Sequence, residues 1–158
     1  AGPVEVVNAN GAVDIGSASV ITNGIVLNGG DGGQFTLTTT DDNVRLNGAV
    51  ELQTDVRIET GGGAGDVTFT NDAPVDSVAG ETNDLVIDAG TGSVLFNADL
   101  GGSVRLGSLE VENASEVVFG QANTETVGTG GQGPVESEQI ILRFETGRSK
   151  YVSDVIGG

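Results

Sequence analysis

Short runs of alternating apolar and polar residues, separated by Gly, Asn and Asp, recur along most of this chain. Examples are "VEVVNA" (4–9), "FTLTT" (35–39), "DVRIET" (55–60) and "SVLFNA" (93–98). A period of two places alternate side chains on opposite faces, as in a strand with one buried face. The intervening residues accept positive φ or bond their own backbone in tight corners. Before residue 135 no run combines a 3.6-residue apolar stripe with helix caps, so the pattern predicts an all-β chain.

The composition restricts the functions open to such a chain. It has 158 residues with 23 acids, 6 bases and a formal net charge of −17. A strongly anionic surface repels phosphate backbones and anionic lipids, so we expect no binding to nucleic acid and no insertion into a membrane. The chain has no Cys, which excludes disulfides and thiolate metal sites. Disorder, the usual alternative for an acidic, Gly-rich chain, conflicts with the regular spacing of Val, Ile and Leu.

Two all-β architectures fit this pattern, an antiparallel β-sandwich and a parallel β-helix (β-solenoid). In a solenoid similar residues recur one coil later, so that identical side chains stack. Four phenylalanines favour the solenoid, because each lies in a strand with an apolar residue two positions away. They are Phe35, Phe69, Phe96 and Phe119, at separations of 34, 27 and 23 residues. We predict that they form one aromatic row along the core of a solenoid, and the sandwich stays as the alternative.

A repeated phrase supports the same architecture. "DVRIET" (55–60) aligns with "DLVIDA" (84–89), and after a Gly-rich corner "VTFTN" (67–71) aligns with "VLFNA" (94–98). The corners differ in length, which loops tolerate because closure entropy grows only slowly with length. The alignment predicts coils of about 20–30 residues and roughly five coils between residues 4 and 120.

Residues 43–120 resemble the degenerate repeats of very large secreted bacterial β-strand-repeat adhesins, the filamentous-haemagglutinin-like and autotransporter-like β-solenoids. The likeness rests on phrases such as "LVIDAGTGSVLFNADLGGSVRLGSLEV" (85–111), and residues 4–42 repeat it more weakly. The resemblance implies export, a right-handed parallel β-helix and a role in adhesion or matrix structure. A composition rich in Gly, Thr, Asn, Asp and Val is also typical of secreted proteins on the bacterial surface, so we expect an extracellular location.

The end of the chain reads differently. We divide the sequence into a repeat domain (1–127), a Gly-rich linker (128–134) and a C-terminal segment (135–158) that contains the apolar run "QIILRF" (139–144). One hypothesis is that this segment caps the open end of the solenoid. A second is that it adds a strand to the next copy by β-augmentation, and a third is that it leads to a further domain. The residues expected to cap or assemble are Ile140, Ile141, Leu142, Phe144 and Tyr151.

Gly and Asp corners raise the question of calcium. "GGDGGQ" (29–34) and "GGGAGD" (61–66) resemble the glycine-rich calcium turn, but neither supplies the six to eight oxygens that calcium takes. We therefore predict no firm metal site. The candidates for a weak calcium site are Asp41, Asp42, Asp72 and Asp76.

The sequence predicts no catalytic residue and no other cofactor. The chain has neither His nor Cys, close carboxylate pairs are expected by chance among 23 acids, and the absence of Trp leaves few platforms for sugar rings. We expect a non-enzymatic extracellular structural or adhesive protein whose partners are itself or a host or matrix surface. Two alternatives stay open: a self-polymerising filament subunit joined head to tail through its C-terminal strand, and a calcium-stabilised carbohydrate-binding module.

Overall fold

A computed structural model describes residues 24–120, together with the backbone of two further strands at 13–15 and 137–142. All regular elements in these residues are β-strands, which confirms the all-β prediction. They are β1 (Val13–Ile15), β2 (Ile25–Leu27), β3 (Phe35–Thr38), β4 (Val44–Leu46), β5 (Val50–Leu52), β6 (Val56–Glu59), β7 (Val67–Phe69), β8 (Val75–Ser77), β9 (Leu85–Asp88), β10 (Ser93–Phe96), β11 (Leu106–Asn113), β12 (Glu116–Phe119) and β13 (Ser137–Leu142).

The strands form three sheets, and each of the first three coils contributes one strand to all three in turn. Sheet I has the order β1-β4-β7-β10-β12, sheet II has β2-β5-β8, and sheet III has β3-β6-β9-β11-β13. Every strand pair is parallel. An isolated parallel bridge between Val75 and Leu100 extends sheet II by one coil. The fold is therefore a parallel β-solenoid, as predicted, and the antiparallel sandwich is wrong. It has about four turns, whereas the sequence predicted roughly five coils.

Alternation along each strand builds the core. In β6, Val56 and Ile58 are fully buried, whereas Arg57 and Glu59 between and after them lie on the outer face. The same alternation recurs in most strands, so two rows of inward side chains from each sheet, most of them apolar, fill the space between the three sheets. The largest fully buried side chains are Phe69, Phe96, Leu37, Leu46, Leu52, Ile58, Leu85, Ile87, Leu100, Leu106, Leu109 and Val44.

The register between coils matches the repeated phrase. Strand β6 pairs with β9 so that Ile58 lies opposite Ile87. Strand β7 pairs with β10 so that Phe69 lies opposite Phe96. The alignment of 55–60 with 84–89 and of 67–71 with 94–98 is thus confirmed residue by residue, and the difference in length falls entirely in the corners.

Three of the four phenylalanines stack in sheet I. The ring centroids of Phe69 and Phe96 lie 5.1 Å apart with an interplanar angle of 21°, and those of Phe96 and Phe119 lie 5.3 Å apart at 16°. Phe35 is not part of this row, because it lies in β3 of sheet III opposite Val56. The position below Phe69 is taken by Leu46. The reason is the length of the coils. From β4 onwards the strands of sheet I recur every 23 to 27 residues, so Phe35, which lies 34 residues before Phe69, is offset by more than one coil and falls in sheet III.

Glycines at the edge between sheets III and I allow the coils to stack backbone on backbone. A Cβ added to Gly92 would lie 2.2 Å from the carbonyl oxygen of Gly65 in the coil below. A Cβ added to Gly90, whose φ is +54°, would lie 2.4 Å from the carbonyl oxygen of Gly61. No side chain fits at either position, which explains why both copies of the phrase carry a Gly-rich corner.

Replacing Phe96 with Ala is expected to lower the free energy of unfolding by about 3–5 kcal/mol, because the change leaves a cavity in the middle of the aromatic row. Phe119→Ala is expected to cost less, since Phe119 is only partly buried at the end of the row. Chemical denaturation of the full chain measures both values.

The matched control for this experiment is Thr68→Ala, which lies on the outer face of β7 and should cost less than about 1 kcal/mol. Equal losses for Phe96→Ala and Thr68→Ala would contradict the claim that the row stabilises the solenoid.

Candidate functional site

The C-terminal strand continues the solenoid. Strand β13 pairs in parallel with β11 of the same chain and becomes the fifth strand of sheet III. Ile140 lies opposite Leu109 and Leu142 lies opposite Val111 in the register. Leu109 and Val111 are fully buried, so Ile140 and Leu142 occupy register positions that belong to the core face of the sheet.

The other residues of the predicted capping set are placed as follows. Ile141 lies opposite Glu110, which is a register position on the outer face of sheet III. Phe144 and Tyr151 lie outside the described residues, as does the predicted linker at 128–134.

The four calcium candidates do not share one part of the solenoid. Asp41 and Asp42 follow β3 at the edge between sheets III and I, Asp72 lies between β7 and β8, and Asp76 belongs to β8. Within residues 24–120 no group of three or more acidic side chains is arranged to hold a metal ion. The structure therefore does not bring these four carboxylates together.

Two of these carboxylates instead accept hydrogen bonds from backbone N–H groups of the next coil. Asp41 Oδ1 accepts from the Gly63 nitrogen at 2.6 Å. Asp76 Oδ1 accepts from the nitrogens of Ser103 and Val104 at 2.8 and 3.0 Å. Both acids thus join one coil to the next, at corners where the backbone leaves the sheets and loses its ladder partners.

A ladder of such bonds runs along the edge before sheet I. Asn43, Asp66 and Ser93 occupy one register position directly before β4, β7 and the apolar part of β10. Asn43 Oδ1 accepts from the Asp66 nitrogen and Asp66 Oδ1 accepts from the Ser93 nitrogen, both at 2.8 Å. The same arrangement precedes sheet III, where Asp55 Oδ1 accepts from the Asp84 nitrogen at 3.0 Å.

Sequence reasoning missed this ladder, because it expected the Asn and Asp residues of the corners to bond their own backbone and not the backbone of the next coil. The signal that could have found it is the dipeptide before each sheet I strand, "NV" (43–44), "DV" (66–67) and "SV" (93–94). Asn, Asp and Ser share a side-chain oxygen that can accept a bond from a neighbouring backbone amide.

An ion-pair network crosses the outer face of sheet III. Arg57 in β6 reaches over β9 to Glu112 in β11, with Nη2–Oε2 and Nη1–Oε1 distances of 2.6 and 3.1 Å. Its Nε atom donates to Glu59 at 2.5 Å. These contacts raise the pKa of the Arg57 guanidinium above its ordinary value, and the hydrogen bond with Glu112 has the largest effect. Arg57 therefore joins the coil of β6 to that of β11, which lies two coils further along the stack.

Comparisons of the chain with protein-family models, with curated proteins and with solved structures find no match. Among the residues described, no helix has the length and apolarity needed to cross a bilayer. The geometry thus establishes a repeated parallel β-solenoid whose coils are joined by an aromatic row, by polar side chains at the corners and by an ion-pair network.

Removing the Asp66 side chain as Asp66→Ala is expected to lower the free energy of unfolding by about 1–2 kcal/mol, because the Ser93 amide loses its acceptor. Asp66→Asn retains an acceptor oxygen and should lose less. Asp72→Ala serves as the matched control, since Asp72 is exposed and bonds to none of the described residues, and it should stay within about 0.5 kcal/mol. A loss for Asp66→Ala no larger than that for Asp72→Ala would show that the ladder does not stabilise the fold.

A double-mutant cycle with Arg57→Gln and Glu112→Gln is expected to give a coupling energy of about 0.5–1 kcal/mol, because the pair is bidentate but remains partly exposed. The coupling should fall when the salt concentration rises to about 1 M. A control cycle of Arg57→Gln with Glu51→Gln, which lies on sheet II, should show coupling near zero. Equal coupling in both cycles would exclude a specific link to Glu112.

Proposed function

We propose that this chain is a non-enzymatic structural segment of an extracellular bacterial surface protein, an adhesin or a matrix component, in which it serves as a stiff spacer. The resemblance of residues 43–120 to the repeats of secreted β-solenoid adhesins supports this proposal. The solenoid architecture is consistent with the same class of repeat protein.

The observation that carries the proposal is the continuity of the contacts between coils. The hydrogen bonds of the three sheets join each coil to the one below, and so do the stacked rings of sheet I and the corner bonds of Asn43, Asp55 and Asp66. Bending the solenoid would open several of these contacts together. A fold whose repeats touch only their neighbours, and touch them in the same way each time, suits a segment that can be extended by adding coils.

The charge and composition suit an exposed extracellular position. A net charge of −17 disfavours lateral association of a β-rich surface, and six basic residues in 158 leave few sites for trypsin-like proteases. Most outward positions of the described strands are only half-buried. Repulsion between copies therefore opposes the aggregation to which sheet edges are otherwise prone.

Two findings favour the spacer over the alternatives. Strand β13 pairs with β11 of its own chain, so donation of that strand to another copy would first require this pairing to open. The candidate calcium ligands are divided between the edge that holds Asp41 and Asp42 and the region of β8 that holds Asp72 and Asp76, so a calcium-stabilised module would need ligands other than these four together. Both alternatives can be tested on the purified chain, since filaments are visible by electron microscopy and a stabilising calcium ion raises the melting temperature.

The experiment combines the location of the protein with its assembly state. Antibodies raised against the purified chain are expected to label intact, unpermeabilised source cells, and labelling only after lysis would contradict an extracellular role. Light scattering and electron microscopy of the purified chain are expected to show compact monomers over a wide range of concentration. Long uniform fibres, absent from a variant that lacks residues 135–158, would replace the spacer by the filament subunit.

A further inference from the structure

The edge between sheets II and III carries corners of unequal length. The corners at 28–34 and 78–84 each have seven residues, whereas the corner at 53–55 in the coil between them has three. The two longer corners therefore stand out on either side of the short one. They enclose an open notch with a volume of about 450 Å³.

The width of the notch follows from the stacking of the coils. Neighbouring parallel strands lie about 4.8 Å apart, so the two flanking coils are separated by about 10 Å. The short corner at 53–55 leaves that space unfilled. The notch can thus admit one extended chain, but not a folded domain.

Amide side chains form the base of the notch and are held in place by bonds between coils. Asn28 Nδ2 donates to Gln53 Oε1 at 2.9 Å, and Gln53 Nε2 donates to Glu51 Oε1 at 2.9 Å. Each amide nitrogen has a second N–H, which has no partner among the described residues. The hydroxyl oxygen of Thr54, in the short corner, accepts a hydrogen bond from the Gly29 nitrogen in the long corner at 28–34, which holds the two corners together. The base therefore offers oriented donors.

Carboxylates form the two rims. Asp31 belongs to the long corner of one flanking coil and Glu81 to that of the other. Neither carboxylate makes a hydrogen bond or an ion pair with the residues that the structure describes, and none of the residues lining the notch is basic. The rims therefore present free acceptors across a base of donors.

This chemistry selects the class of ligand. The rim carboxylates and the net charge of −17 repel anions. All residues that line the notch are polar or are Gly. A ligand with a large apolar surface would therefore gain little binding free energy there. A basic side chain of a ligand could pair only with the rim carboxylates, because the amides at the base offer donors. Such exposed ion pairs contribute little binding free energy at physiological salt. Hydroxyl groups can donate to the carboxylates and accept from the amides at the same time.

We propose that this notch binds a neutral oligosaccharide, with Asp31 and Glu81 accepting bonds from its hydroxyl groups and Asn28 and Gln53 donating to them. The inference rests on the proposed function in one respect, because it names the class of surface molecule that an extracellular spacer of this kind would hold. The binding itself requires only the described residues.

Nuclear magnetic resonance of the full chain tests the proposal through the side-chain NH₂ signals of Asn28 and Gln53. The probes are cellopentaose, maltopentaose, mannopentaose and N-acetylchitopentaose, with a galacturonate pentamer as the anionic comparison and pentalysine as the cationic one. At least one neutral pentasaccharide is expected to shift both signals saturably. The double variant Asp31→Asn, Glu81→Gln keeps the shape of the rims and is expected to bind at least about tenfold more weakly.

A second variant fills the notch. Inserting Gly-Asp-Gly-Gly between Thr54 and Asp55 lengthens the short corner to seven residues and should abolish the shifts, because the corner then occupies the space of the ligand. The same insertion after Gly62, at the edge between sheets III and I, is the matched control and should leave binding unchanged. Thermal unfolding of each variant reports whether the solenoid persists, and the double variant decides the question if the insertion prevents folding.

Three results would overturn the inference. They are the absence of shifts with all four neutral pentasaccharides, equal binding by a folded notch-filled variant, and shifts caused by pentalysine alone, which would indicate a basic peptide as the partner. Each of these leaves the spacer proposal standing, because surface labelling tests that proposal without reference to the notch.

Discussion

In-register stacking of parallel coils is the interaction on which the rest of this structure depends. A single coil of three short strands can neither pair its backbone groups nor bury its inward side chains, so both needs are met by the coils above and below. Register then decides which side chains meet. Phe69, Phe96 and Phe119 form a row because their strands pair without a shift, and Asp66 reaches the Ser93 amide for the same reason.

Most of the variation in length between coils lies in the corners, where it has two opposite results. At the edge between sheets III and I the backbones touch, and Gly90 and Gly92 permit contacts that no side chain would allow. At the edge between sheets II and III a short corner lies between two long ones and opens the notch. The rows of sheet I repeat from coil to coil because their strands pair without a shift, whereas corner length is free to change. Distinctive surface chemistry is therefore expected at the edges and not on the sheet faces.

The acidic side chains divide into two groups that composition alone does not separate. Asp55 and Asp66 accept backbone bonds from the next coil and belong to the framework. The carboxylates of Asp31 and Glu81 bond to none of the described residues and lie exposed at the notch. Arg57 shows the corresponding role of a base, since it joins coils through Glu112, which lies 55 residues further along the chain. A high negative charge thus coexists with a fold that uses some of its carboxylates as internal connectors.

The period-two pattern and the repeated phrase were enough to predict an all-β solenoid and the pairing of β6 with β9 and of β7 with β10, because identical side chains in one register are visible as identical letters. The sheet that holds Phe35, the separation of Asp41 from Asp76 and the contact between Arg57 and Glu112 could not be predicted in the same way. Each of these depends on the summed lengths of the intervening corners, which vary from three residues to seven on one edge alone. Local sequence therefore determines which residues face the core, and only the folded stack decides which coil and which edge brings the others together.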